Sequence, residues 1–190
     1  MNARASRRGV RLLLFLLAAL LCGNAGYLQA KAALAQVLLE RAWQRSAAGA
    51  TAAKPWPWAD TRPVARLRIE SLAVDQIVLA GDSGRTLAFG PAWNEASALP
   101  GSAGSSVISG HRDTHFSFLK LVNKDDIISV ERAGATSRYR VSAMTVIDAR
   151  DTRIAARSDA GDRLLLVTCY PFDGWTAGGP LRYVVEAVRL

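Results

Sequence analysis

The stretch LLLVTCYPFDGWTAGGPLRYVV, residues 164–185, joins two short apolar runs through a turn rich in glycine and proline. Runs of this length that are rich in valine and leucine and bounded by turn residues predict two strands with a loop between them. Cys169 closes the first run and Arg182 opens the second. A cysteine needed only for packing would fit equally well in mid-strand, so its place at a strand end raises the question of a function.

Similar runs recur from Val64 to the C-terminus and predict a mainly β domain. Two stretches between them, GRTLAFGPAW and HFSFLKLV, predict single helical turns or short helices. Six or seven strands joined in this way are typical of a mixed or mainly antiparallel barrel or sandwich with little helix. Besides the two runs already quoted, the predicted strands are VARLRIESL, VDQIVLAG, GSSVISGH, DDIISVER and SRYRVSAMTVIDAR.

The size and charge of the chain limit its class. With 190 residues, half of them apolar, the chain can form one well-cored domain plus an appendage. A net charge of +8 is compatible with nucleic-acid binding. However, the arginines are scattered, and the sequence contains neither an aromatic and basic stacking platform nor a nucleic-acid module. We therefore expect no nucleic-acid partner.

The N-terminus predicts a membrane anchor. Residues 1–11 carry four arginines and no acid, and residues 12–30 are strongly apolar. The positive-inside rule places such a flank in the cytoplasm, so residues 12–30 are predicted to be a transmembrane signal anchor with the rest of the chain outside. The apolar segment is at the short limit for a span, and small residues at 30–35 offer cleavage patterns, so a cleaved signal peptide is the alternative.

The remaining chain divides into two predicted parts. Residues 31–63 begin with a helical pattern and end in alanine and proline punctuation, which predicts a juxtamembrane helix followed by a stalk. Residues 64–190 hold the strand signals and are predicted to be the catalytic domain.

The two cysteines fall in different parts of the chain. Cys22 lies in the apolar segment and Cys169 in the exported domain, so an intramolecular disulfide between them is not expected. Cys169 is then a lone thiol in a compartment that can be oxidising. A catalytic nucleophile is one explanation. A buried residue of the core is the other, since cysteine is among the most buried residue types.

A cysteine nucleophile needs a group that helps to form the thiolate and a donor that holds the oxyanion. His111 directly follows a predicted strand and a glycine, and Arg182 opens the last strand. Arginine stays protonated, so Arg182 can donate hydrogen bonds to an oxyanion or a substrate but cannot act as a base. Because strand ends can aim side chains into one cleft, His111, Cys169 and Arg182 are the candidate catalytic residues.

Two neighbours of these residues are supporting candidates. Asp113 could orient His111 through a hydrogen bond, or cap a short helix that starts near residue 115, which is the interpretation we favour. Thr168 could offer its hydroxyl or a backbone group to the site, or be an ordinary β-branched strand residue.

A metal site is another interpretation of the histidines. His111 and His115 are four residues apart and could hold zinc together with Cys169 if they lay on a helix. The intervening Gly-His-Arg-Asp stretch is more typical of a loop leaving a strand, so we expect no metal and no other cofactor.

At these residues the sequence resembles the sortases, the exported and membrane-anchored cysteine transpeptidases of bacteria. The resemblance rests on the histidine of SGHRDTHFSFL, on Leu-x-Thr-Cys at residues 166–169, and on the arginine of PLRYVV thirteen residues after the cysteine. The TCYPF continuation is most similar to the class D and E branch and to the single sortases of Gram-negative bacteria.

The resemblance implies an eight-stranded β-barrel with short helices and a cleft lined by His111, Cys169 and Arg182. It implies that the cysteine cleaves an LPxTG-like C-terminal sorting signal after the threonine, forms a thioacyl enzyme, and transfers the acyl group to an amine acceptor on the cell envelope. The histidine would be the general acid or base, and the arginine would stabilise the oxyanion or hold the substrate. The domain would lie outside the bacterial cytoplasmic (inner) membrane.

Two other functions fit the residues. An exported cysteine peptidase would form the same thioacyl intermediate but pass it only to water. A non-enzymatic membrane-anchored β module would keep Cys169 as a core residue, inert to alkylating reagents.

Overall fold

The structure is a computed structural model, and the residues that it describes are 3–49, 53–151, 161–174 and 178–190. Side chains are described from Val10 onward. The first two residues of the predicted basic flank, residues 50–52 of the predicted stalk, and residues 152–160 and 175–177 of the predicted catalytic domain lie outside the described residues. The chain divides into two compact units, residues 1–37 and 38–190.

The first unit is made of the N-terminal part of helix α1, which runs over Ala3–Ala47. From Val10 onward the helix is long and apolar enough to cross a membrane, with a mean hydropathy of 1.8 over its most apolar window. An apolar secretory signal sequence near the N-terminus meets the same criterion. The leucines of the first unit are exposed; Leu13 and Leu20, for example, are 66% and 70% exposed. The predicted N-terminal apolar helix is therefore confirmed.

The last turns of α1 belong to the second unit and pack against its sheet. Leu39 and Trp43 lie one helical turn apart and are both buried. Leu39 contacts the cluster of Leu79 and Ala92. Beside it, the carboxylate of Glu40 accepts a hydrogen bond of 2.9 Å from Nη1 of Arg66. This end of the helix is thus held to the sheet by both apolar and charged contacts.

The second unit contains a closed barrel of eight strands, which confirms the mainly β barrel fold. The strands are β1 Pro63–Ile69, β2 Val74–Ala80, β3 Ala92–Trp93, β4 Ser105–Ser109, β5 Ile127–Arg132, β6 Ala135–Asp148, β7 Arg163–Cys169 and β8 Leu181–Arg189. Around the barrel they follow the order β1-β2-β3-β4-β7-β8-β6-β5. The pairs β2–β3 and β4–β7 are parallel, and the other six are antiparallel.

The other described helices of the barrel unit are short. Helix α2 covers Gly84–Leu87, and 3₁₀ helices cover Glu70–Leu72 and Ser117–Leu121. The sequence predicted a single helical turn or a short helix in GRTLAFGPAW, and Gly84–Leu87 forms it. The same stretch ends in Ala92–Trp93, which form strand β3. A strand of two residues is too short to show alternation in the sequence. Strand β3 is defined by its pairing with β2 on one side and β4 on the other.

Alternation along the strands separates the core from the outer face. On β7, Leu164 and Leu166 are fully buried in the main core inside the barrel. Leu165 and Val167 belong to a second cluster on the opposite face, together with Val107 and Val184. We call these four residues the floor patch.

The core assignment predicts a difference between two leucines. Leu166→Ala should lower the free energy of unfolding by about 2–5 kcal/mol, because it leaves a cavity in the barrel. Leu121 is 56% exposed, and Leu121→Ala should change that free energy by about 0.5 kcal/mol or less. Denaturant unfolding of the detergent-solubilised chain, followed by tryptophan fluorescence, measures both. Equal losses in the two variants would contradict the assignment.

Candidate active site

Parallel pairing of β4 and β7 places His111 and Cys169 at the same end of the barrel. Ser109, the last residue of β4, pairs with Val167 of β7. The amide of Gly110 continues this pairing by donating a 3.1 Å hydrogen bond to the Val167 carbonyl. Parallel strands run in the same direction, so His111 and Cys169 each lie two positions beyond this pair, at neighbouring ends of the two strands.

Antiparallel pairing of β7 and β8 places Arg182 directly opposite Cys169. The next pair outward is joined by a 3.1 Å hydrogen bond from the amide of Tyr170 to the carbonyl of Leu181. Hydrogen-bonded and non-hydrogen-bonded pairs alternate in such a ladder, so Cys169 and Arg182 form a non-hydrogen-bonded pair, with Cα atoms about 4.5 Å apart. Side chains approach most closely in pairs of this kind.

The strand faces put both side chains on the outside of the barrel. Cys169 is in step with Leu165 and Val167 on β7, and Arg182 is in step with Val184 on β8. Cys169 is half-buried, and it lies at the end of the floor patch. Val107, Leu165 and Val167 of that patch are buried, with 6–8% of their area exposed, so the thiol is the more accessible end of an apolar cluster.

Arg182 is anchored at the entrance of β8. Its Nη1 donates hydrogen bonds of 2.6 Å to the Gly179 carbonyl and 2.9 Å to the Leu181 carbonyl. The guanidinium carries further N–H donors on its other nitrogens. Arg182 therefore combines a fixed position opposite Cys169 with the donor chemistry that an oxyanion or a peptide carbonyl requires.

Gly110 and Thr168 fasten the two strand ends. The buried hydroxyl of Thr168 donates a 2.7 Å hydrogen bond to the Gly110 carbonyl, so Thr168 ties β7 to the residue before His111. A Cβ at Gly110 would come within 2.5 Å of the Phe116 ring. The Phe116 amide in turn donates a 2.9 Å hydrogen bond to the His111 carbonyl. The turn that carries His111 can therefore close only over glycine.

Asp113 does not cap a helix, so that prediction is wrong. The 3₁₀ helix begins at Ser117, and Phe116 is its cap residue, without a side-chain cap bond. Both carboxylate oxygens of Asp113 instead accept hydrogen bonds from Arg112, at 2.7 and 3.0 Å. These bonds and the charge of Arg112 hold the pKa of Asp113 below its ordinary value. His111 lies within electrostatic range of the carboxylate.

Arg112 is a site residue to which the sequence analysis assigned no role. Only 7% of its side chain is exposed, although it lies in a loop. Its guanidinium also donates to the carbonyls of Pro171 at 2.5 Å and Gly174 at 2.8 Å, in the loop that follows Cys169. The Arg-Asp dipeptide after His111 was the available signal, but the carbonyl partners are distant in sequence and come near only in the fold.

Three aromatic rings pack together next to Cys169. Tyr170 stacks on Tyr183 with ring centroids 6.2 Å apart, and Phe172 meets Tyr183 edge-on at 5.2 Å. Phe172 and Tyr183 pack against the main core. Burial raises the pKa of the Tyr183 hydroxyl. The residue after Cys169 is thereby held from the inner face while Cys169 faces outward.

His115 is held by contacts away from the candidate catalytic residues. Its imidazole forms a hydrogen bond with the backbone of Ala88, and burial lowers its pKa below the ordinary value of 6.5. The charge of His111 lowers it further. Among the described residues no group of three or more histidine, cysteine or acidic side chains could hold a metal ion.

The sortase domain family model matches residues 67–190, which is more than half of the chain. The chain belongs to the sortase family. This confirms the family to which the motifs pointed. Sortases are cysteine transpeptidases that act on proteins bearing a sorting signal, and the described domain carries a half-buried cysteine at the end of β7.

Several known sortases are similar to this chain. Sortase D of Bacillus subtilis (strain 168) is 27% identical over 124 residues, which cover 65% of this chain and 62% of that protein. The chain thus matches less than two thirds of the length of this relative. Sortase A of Corynebacterium diphtheriae is 27% identical with a TM-score of 0.62, covering 83% of this chain and 85% of that structure.

A Sortase D5 transpeptidase of Clostridium perfringens shares the fold. It has a TM-score of 0.66 at 19% identity, over 83% of this chain and 99% of that structure. Sortase C-1 of Actinomyces oris is 29% identical with a TM-score of 0.56, over 67% of this chain and 72% of that structure.

The contact between Gly110 and Phe116 predicts the effect of one added methyl group. Gly110→Ala should lower the free energy of unfolding by about 1–3 kcal/mol, because the Phe116 ring must move out of a packed position. A Cβ at Gly84 would have no neighbouring atom within 4 Å, so Gly84→Ala should be near neutral. Thermal unfolding of both variants measures the difference. A Gly110→Ala variant as stable as wild type would contradict the packing argument.

The lowered pKa of His115 predicts a loss of stability in mild acid. The folded state binds a proton on His115 less readily than the unfolded chain does. The neutral imidazole therefore contributes its full share to the free energy of unfolding above pH 6.5, and this share is lost as the pH falls through the folded-state pKa. His115→Gln should therefore weaken the dependence of the unfolding temperature on pH below 6.5. Thermal unfolding at a series of pH values tests this. An unchanged slope in the variant would contradict it.

Proposed function

We propose that this sortase is a membrane-anchored transpeptidase that uses Cys169 as its nucleophile, His111 as its general acid and base, and Arg182 as its oxyanion or substrate donor. The observation that carries the proposal is the pairing of three strands. It sets Cys169 opposite Arg182 and puts His111 at the neighbouring strand end. Membership of the sortase family supports the same reaction class.

The substrate in this proposal is a protein with an LPxTG-like C-terminal sorting signal. An extended peptide reaches the thiol at the end of the floor patch, where Cys169 and Val184 are half-buried. The Cys169 thiolate attacks the carbonyl carbon of the threonine, and the negative charge develops on that carbonyl oxygen. Arg182 can donate to that oxygen because its side chain is on the same face of the sheet.

Two proton transfers complete the acyl transfer. When the peptide C–N bond breaks, His111 gives a proton to the leaving amine, and a thioester on Cys169 remains. An amine acceptor on the cell envelope then attacks the thioester and loses a proton to His111. The C–S bond breaks, and the thiolate is restored.

The anchor supports a place outside the bacterial cytoplasmic (inner) membrane. Helix α1 is long and apolar enough to contain a single membrane span. The arginines that precede the span put the N-terminus inside by the positive-inside rule. Residues 1–11 then form the cytoplasmic flank, residues 12–30 the span, residues 31–63 the juxtamembrane helix and stalk, and residues 64–190 the catalytic domain.

The two cysteines provide a matched test of the nucleophile. With an LPxTG-type peptide, wild type and Cys22→Ala should give the same cleaved product and a thioacyl adduct in intact mass spectrometry. Cys169→Ala should give neither, because no thiol remains at the site. Cleavage by Cys169→Ala, or equal loss in both variants, would contradict the assignment.

The same assay separates the competing functions. An added amine should appear in the product if the enzyme is a transpeptidase, whereas a peptidase that only hydrolyses gives the acid with and without the amine. A non-enzymatic module with an inert core thiol predicts that the folded chain resists alkylation at Cys169.

A further inference from the structure

We propose that Arg112 is a positioning residue that fixes the turn carrying His111 against the loop that follows Cys169. This inference rests on the proposed function, because it explains how the base and the nucleophile of that reaction keep their separation. The two strand ends are paired up to Gly110 and Val167. Beyond that point the pairing of β4 with β7 ends, although β7 stays paired with β8 as far as Tyr170. Other contacts must therefore hold the turn of His111 to the loop that follows Cys169.

The guanidinium of Arg112 makes those contacts in two directions. Toward its own turn, Nε and Nη2 donate to the two carboxylate oxygens of Asp113. Toward the other loop, Nη1 donates to the Pro171 carbonyl and Nη2 to the Gly174 carbonyl. A planar fork with fixed N–H directions can meet acceptors on both sides at once, which a lysine ammonium cannot do with the same geometry.

The loop is shaped to receive this fork. A Cβ at Gly174 would lie 2.9 Å from Nη1 of Arg112 and 3.3 Å from the Pro171 carbonyl oxygen. The amide of Gly174 also donates a 3.3 Å hydrogen bond to that carbonyl, so the turn closes around the guanidinium. Burial of the side chain, 7% exposed, keeps water from replacing these bonds.

Charge adds to this arrangement. Cys169 and Asp173 both lie within electrostatic range of Arg112. Asp113 neutralises much of the arginine charge because it accepts two of its hydrogen bonds. A lysine in this place would keep the positive charge but lose the fork, so Arg112→Lys separates the positioning role from a purely electrostatic one.

The test uses the full chain in detergent and compares Arg112→Lys and Gly174→Ala with wild type. Over a series of LPxTG-type peptide concentrations, both variants should lower kcat about ten- to hundredfold with little change in KM, since misplacement of the reacting groups slows the chemical step. Arg85→Lys is the matched control, because Arg85 is 86% exposed in a surface pair with Asp60. A wild-type kcat in Arg112→Lys would overturn the proposal.

Hydrogen exchange supplies a readout that needs no substrate. Amides in residues 111–116 and 170–174 should exchange faster in Arg112→Lys and Gly174→Ala, while the strands and the Arg85→Lys variant keep wild-type rates. Unchanged exchange in both segments would overturn the inference. If wild type fails to cleave the peptide, the proposed substrate is wrong, and the exchange rates still decide the role of Arg112.

Discussion

The parallel register between β4 and β7 is the constraint on which the candidate site depends. Ser109 pairs with Val167, so two strands far apart in sequence end at the same level. A parallel pair cannot be made by a tight turn and needs a long crossover. Here the crossover contains β5 and β6, which close the barrel on its other side. The same connection that completes the barrel therefore brings His111 beside Cys169.

Gly110 and a buried hydrogen bond from Thr168 hold the ends of β4 and β7 together. Gly110 lets the Phe116 ring pack directly on the backbone, and the Thr168 hydroxyl satisfies the Gly110 carbonyl inside the barrel. A buried carbonyl without a donor would cost about 1–3 kcal/mol. Thr168 thus contributes to the site from the inner face, while Cys169 is presented to the outer face.

The division between faces also explains why a cysteine can be both held and accessible. Even-numbered residues of β7 up to Thr168 are buried inside the barrel, and odd-numbered residues form the floor patch and the thiol. Tyr170 and its aromatic neighbours fix the chain immediately after Cys169. The thiol is therefore carried on a rigid backbone although it is only half-buried.

Sequence alone determined the apolar N-terminal helix, seven of the eight strands and the residues His111, Cys169 and Arg182 as candidates, because these follow from local composition, alternation and motif spacing. Strand β3 was not predicted, since a strand of two residues has no periodic signal in the sequence. The pairing of Asp113 with Arg112 and the burial of Arg112 were decided by tertiary structure. Their partners Pro171 and Gly174 lie 59 and 62 residues away, and only barrel closure brings those carbonyls within hydrogen-bonding distance.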